Sequence, residues 1–75
     1  MKLKQIGSNM TELTVNGTSI LFSYETPVAA YTPTQGYIRT SKKWSVTTSR
    51  HINKWLDGVT AEERPQEFLD SLIEG

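Results

Sequence analysis

Seventy-five residues carry eight Lys+Arg against eight Asp+Glu, one His and no Cys, which makes one small domain of zero formal charge, residues 1–75. That composition excludes a disulfide framework, a thiolate metal site and a His-based metal cluster within one chain, and no apolar run approaches the ~20 residues of a membrane helix. Only 36% of the chain is apolar while Ser and Thr number 17, so the reading is a soluble, cytosolic α+β domain with no apolar signal region behind Met1–Ile6.

Residues 2–6 form a short strand candidate, and Gly7-Ser8-Asn9 carries turn chemistry. Residues 11–15 alternate, with Leu13 and Val15 on one face. Asn16-Gly17 follows at once. A type I′ turn needs positive φ at both central positions, so this pair predicts a hairpin over residues 11–24, with Ile20, Phe22 and Tyr24 on one face of the return strand. Pro27 and Pro33 bracket Val28-Ala29-Ala30-Tyr31. Proline lacks the N–H that a ladder uses, so this piece reads as an edge strand or an extended loop. Thr32–Gly36 is a turn, Tyr37–Thr40 a strand, and Trp44-Ser45-Val46 a further strand candidate after a polar link.

Thr47 or Thr48 can cap a helix running to about Asp57. Ile52, Trp55 and Leu56, at i, i+3 and i+4, are its apolar stripe, and Gly58 suits its C-terminal end. Thr60-Ala61-Glu62-Glu63 fits a capping box for a second helix, with Pro65 near its first turn and Phe68, Leu69, Leu72 and Ile73 as its buried face. The expected architecture is a four- to five-stranded antiparallel sheet with one or two C-terminal helices on one face. The first helix should bury its stripe against Ile20, Phe22, Leu13 and Val15. A single core this small supplies about 3–5 kcal/mol. Packing of the Trp, Phe and Tyr side chains, or self-association into a homodimer, must support it.

Zero net charge hides a polarity. Residues 1–54 hold seven basic groups and two acids; residues 55–75 hold one basic group and six acids. Positions 39–54 carry Arg39, Lys42, Lys43, Arg50 and Lys54 with no acid among them. Three arrangements compete: the acidic C-terminal region folds back and neutralises this window, the window is an exposed patch for an anionic partner, or protomers meet head to tail. Thr48 and its hydroxyl neighbours sit at a helix N-terminus, where unpaired N–H groups attract anions, and Arg50 lies in the first turn against the helix dipole. Tyr37 and Trp44 are aromatics near the cations, a pattern that stacks nucleobases, although Trp44 and Trp55 equally suit a core. The candidate partner- or anion-binding residues are therefore Arg39, Lys42, Lys43, Thr48, Arg50, Lys54 and Tyr37.

Catalysis has no visible centre. His51 has no Cys partner, and no Ser or carboxylate is assignable to it by spacing. The five glycines are too far apart for a phosphate loop or a dinucleotide turn, so no cofactor is expected.

The runs Met1-Lys2-Leu3-Lys4-Gln5-Ile6-Gly7-Ser8-Asn9-Met10-Thr11-Glu12, Leu21-Phe22-Ser23-Tyr24-Glu25-Thr26-Pro27-Val28-Ala29-Ala30 and Trp44-Ser45-Val46-Thr47-Thr48-Ser49-Arg50-His51-Ile52-Asn53-Lys54-Trp55-Leu56 cover most of residues 1–57. They resemble a domain of unknown function in small, uncharacterised bacteriophage and prophage proteins. The resemblance carries no catalytic residues. It implies expression in a host cytoplasm and a non-enzymatic protein that binds host or phage machinery. Inhibitors of restriction or CRISPR defence are of this kind. Direct binding of nucleic acid by the basic window is the alternative, and zero net charge counts against it.

Overall fold

Four positive-φ turns and two register shifts, one in β1–β2 and one in β3–β4, lay out the sheet. The computed structural model describes residues 2–74; Met1, Gly75 and the side chain of Glu74, one of the six C-terminal acids, lie outside the described residues. The chain runs β1 (Lys2–Gly7), β2 (Met10–Val15), β3 (Thr18–Ser23), β4 (Thr26–Thr32), β5 (Gly36–Thr40), α1 (Val46–Leu56), β6 (Glu62–Arg64) and α2 (Gln66–Glu74). Asn16 and Gly17 have φ of 49° and 82°, as the hairpin turn requires, and β2 pairs with β3 from Val15↔Thr18 to Met10↔Ser23. Asn9 turns β1 into β2, Tyr24 turns β3 into β4 and Gly36 opens β5, each with positive φ. The six strands lie in the order of the chain, β1-β2-β3-β4-β5-β6.

The strand count exceeds the expected four or five, and the sheet is mixed rather than purely antiparallel. Its parallel pair is β5–β6, registered Ile38↔Glu62, Arg39↔Glu63 and Thr40↔Arg64. Parallel neighbours need a crossover connection, and α1 supplies it. Two local readings change as a result. Glu62 and Glu63 belong to a strand instead of a capping box, because backbone pairing with β5 replaces the helical turn. Trp44-Ser45-Val46 is no strand: Ser45 caps α1, accepting from the Thr48 backbone N–H at 3.2 Å, two or three residues before the expected Thr47 or Thr48. At the far end Asp57 is the C-cap with φ of 50°, followed by Gly58.

The proline-flanked segment is neither an edge strand nor a loop. β4 is an inner strand, paired with β3 on one side and β5 on the other. Proline is tolerated there because of where it falls. Leu21 pairs with Ala29 and Phe22 with Pro27, so Val28 is an extra residue, and the β4–β5 ladder starts only at Ala29. Pro27 thus sits at a bulge near the start of the strand, outside the second ladder, and Pro33 lies beyond the strand's end.

The helices take opposite faces. Ile52 and Leu56 of α1 pack with Met10, Leu21, Val28 and Ala29, joined by Ile6, Trp55 and Ala61. Leu69 of α2 packs with Ile20, Ala30 and Ile38, joined by Leu13, Phe22, Phe68 and Leu72. Successive strand side chains alternate between faces, so Ile20 and Leu21 serve different clusters. The α1 stripe therefore does not meet Ile20 and Phe22 as expected; it meets their neighbours, and α2 covers the Ile20 face. Ile73, expected on the buried side of α2, is 46% exposed.

Leu21, with no exposed surface, and Leu3, exposed at the edge, calibrate this division. Leu21→Ala should lower unfolding stability in urea by about 2–5 kcal/mol. Leu3→Ala should stay within about 0.5 kcal/mol of the parent.

Candidate basic cleft and the α1 anchor

The link from β5 to α1 gathers the first set of cations. Its fold is local: the Lys42 backbone N–H donates to Thr40 Oγ1 at 3.1 Å, and the Ser41 N–H donates to the Arg64 carbonyl at 2.8 Å. The Trp44 indole N–H donates to Gln66 Oε1 at 3.1 Å, while the Gln66 amide nitrogen reaches the Pro27 carbonyl at 2.7 Å and Asp70 at 3.0 Å. Gln66 thereby ties the link, β4 and α2 together. The link and the first turn of α1 border a cleft of about 360 Å³ lined by Arg39, Lys42, Lys43, Trp44, Thr48 and Ser49, among others. Lys42 Nζ stands 4.3 Å from the Trp44 ring centroid, within cation–π range.

The electrostatics of the cleft follow from the two-faced fold. α2 carries Glu67 and Asp70 and packs on the sheet face opposite α1. The first residue of α2, Gln66, meets the link at Trp44, but Glu67 and Asp70 make no ion pair with the window's cations among the described residues. Glu63, opposite Arg39 across β5–β6, is the acid that lines the cleft. Among the described residues the ion pair within 4.0 Å is Arg64–Glu62, at 3.2 Å on the sheet edge, and it involves none of the window's cations. Arg39 Nε is buried with no hydrogen-bond partner, the one such side-chain atom among the described residues. A buried donor without an acceptor is costly.

The candidate residues separate into three groups. Arg39, Lys42, Lys43 and Thr48 converge on the cleft. Arg50 and Lys54 are exposed one helical turn apart on α1, outside it. Tyr37 joins neither; its ring lies 4.8 Å from Tyr31 and 5.9 Å from Trp55, farther along the same sheet face. Thr48 is at the cleft but buried, and its hydroxyl is committed to protein partners.

Those partners form a network that sequence spacing does not reveal. Ser23 Oγ lies 2.7 Å from His51 Nδ1 and 3.1 Å from Thr48 Oγ1, across separations of 28 and 25 residues. Ser45 Oγ donates onward to Thr48 Oγ1 at 3.3 Å. The signal that could have found it is the i, i+3 spacing of Thr48 and His51, which puts both on the inner side of α1 with Ile52. Ser23 is 2% exposed, and among the described residues no carboxylate is hydrogen-bonded to His51. The arrangement is a polar brace between β3 and α1. No group of three His, Cys, Asp or Glu side chains among the described residues is placed to hold a metal, and no helix among them is long and apolar enough to cross a membrane.

Residues 1–71 match the model of a family of unknown function, DUF8033, and the chain belongs to that family. No curated protein and no solved structure matches it.

Removing the Ser23 hydroxyl leaves Thr48 and His51 short of a partner inside the protein. Ser23→Ala should cost about 1–3 kcal/mol in chemical denaturation. A double-mutant cycle with Thr48→Val should give a coupling of about 0.5 kcal/mol or more.

Proposed function

We propose that the protein is a non-enzymatic interaction module that docks an acidic surface of a protein partner against its α1 side. One observation carries the reading. Arg39 of β5, Lys42 and Lys43 of the link, and Arg50 and Lys54 of α1 take part in no ion pair among the described residues, while α2 takes Glu67 and Asp70 to the other face. Charge so arranged steers and orients a partner more than it adds affinity. The unpaired outer edge of β1, carrying exposed Lys2 and Lys4, extends the contact: lysines on an edge discourage like-charged strands and tolerate an acidic one. The reading includes a phage origin, action in the host cytoplasm and inhibition of a host defence system by occupation of the partner's surface, with homodimerisation as a further element.

A second reading, nucleic-acid binding, is favoured by the partly exposed Trp44 beneath Lys42. Stacking on an aromatic flanked by cations is a sequence-tolerant way to hold a single strand.

Affinity capture from a bacterial lysate, with and without nuclease, separates the two. The expected outcome is a stoichiometric protein partner that survives nuclease and is lost with Lys42→Glu/Lys43→Glu, its affinity reduced by about tenfold or more through slower association. A restriction or CRISPR component in that fraction supports defence inhibition; a replication or virion component removes it. Retained nucleic acid whose affinity falls steeply with salt would move the assignment to the second reading. A partner indifferent to the charge reversal would take the cleft out of both.

A further inference from the structure

A second concavity, about 180 Å³, lies where the C-terminal half of α1 crosses β2–β5, and it is lined by Glu12, Ser19, Tyr31, Tyr37 and Trp55. Its walls are aromatic. Tyr37 is packed edge-on to Trp55, with centroids 5.9 Å apart and planes at 68°, and is tilted against Tyr31 at 4.8 Å. Both tyrosines keep more than a third of their surface exposed. The Trp55 indole N–H donates to Glu12 Oε1 at 2.8 Å and holds that carboxylate in place. Glu12 is half-buried, and among the described residues no Lys or Arg nitrogen stands within 4.0 Å of its oxygens.

We propose that this notch binds the ammonium group of a lysine side chain presented by a partner protein. A partly desolvated carboxylate with spare acceptor capacity attracts a cation that can donate N–H groups. The faces of tyrosine and tryptophan rings carry negative potential and hold a cation within about 6 Å of their centroids. An anion would be repelled by Glu12, and an apolar group would strip water from the carboxylate without replacing it. The volume is below the ~300–1,000 Å³ of small-molecule pockets and suits one side-chain head group. Lys4 is the Cα partner of Glu12 across β1–β2 and is exposed, so it is a competitor within the chain. The site is independent of the basic cleft: it uses none of the cleft's residues, and it adds a negative contact beside a positive one on the same face.

The test is an NMR titration that follows the Trp55 indole N–H, assigned with Trp44→Phe. The probes are Nα-acetyl-lysine methylamide, its Nε-methylated forms and, as a neutral control, its Nε-acetyl form. The expected result is a saturable shift of the Trp55 resonance with the cationic probes and none with the acetylated one. Glu12→Gln keeps an acceptor for the indole but removes the charge, and should weaken binding by about fivefold or more. Tyr37→Phe keeps the ring and should hold affinity within about twofold. Lys4→Ala should leave it unchanged or raise it. No saturation with any cationic probe on the wild-type protein overturns the proposal. So does an equal shift with the acetylated probe, or indifference to Glu12→Gln in a variant whose spectrum shows the native fold.

Discussion

The adjacency of Ile20 and Leu21 in β3 is the constraint on which the rest of the structure depends. Both are fully or nearly fully buried, and consecutive strand positions point to opposite faces. β4 repeats the demand with Ala29 and Ala30. A sheet whose inner strands are apolar on both faces needs a cover on each side. The last thirty or so residues meet that need by splitting: α1 covers one face, β6 adds a parallel edge, and α2 covers the other. β6 is only three residues long, yet it carries the chain across the plane of the sheet between the two helices.

That split decides the electrostatics. A chain with a basic first part and an acidic last part could neutralise itself if both helices shared a face. Placing them on opposite faces converts polarity along the sequence into polarity through space. Two of the C-terminal acids limit this separation: Glu63 stands opposite Arg39, and Asp57 is the C-cap of α1. α1 is also held by more than apolar contact. The Ser23–His51–Thr48 network fixes one side of the helix against β3, so its outer side presents Arg50 and Lys54 from a rigid frame. Along the inner sheet surface the helix then has two chemically different ends: cations and a cleft at its start, a carboxylate among aromatic rings near its finish.

Much of the local structure was legible because its causes are local. Asn16-Gly17 determines a hairpin through the φ values its turn needs, and Ile52, Trp55 and Leu56 announce the inner side of a helix through their spacing. The readings that failed share a cause: each asked a short stretch to report on a partner distant in sequence. Pro27 and Pro33 argued for an edge because a central strand normally needs every N–H, yet the bulge at Val28 and the late start of the β4–β5 ladder remove that need at Pro27. Thr60–Glu63 carries helix-capping residues, but pairing with β5 outcompetes one helical turn. His51 could not be matched to Ser23, because 28 residues, including β4 and β5, separate them in the chain.

The sequence by itself determined the elements that depend on neighbours a few residues away: the hairpin, the extent of α1 to within a turn, the presence of a second helix, most of the two apolar stripes, the α+β class and the clustering of cations between Arg39 and Lys54. Tertiary structure alone decided which face each stripe covers, because a period-two pattern that is apolar on both faces contains no information about which helix takes which. It alone decided that no ion pair joins the cations of the basic window among the described residues, that Tyr37 leaves that window for Trp55, and that Glu12 is set among aromatic rings. Each of these joins residues from strands and helices whose proximity is created by the sheet order and the crossover, and no spacing along the chain encodes that proximity.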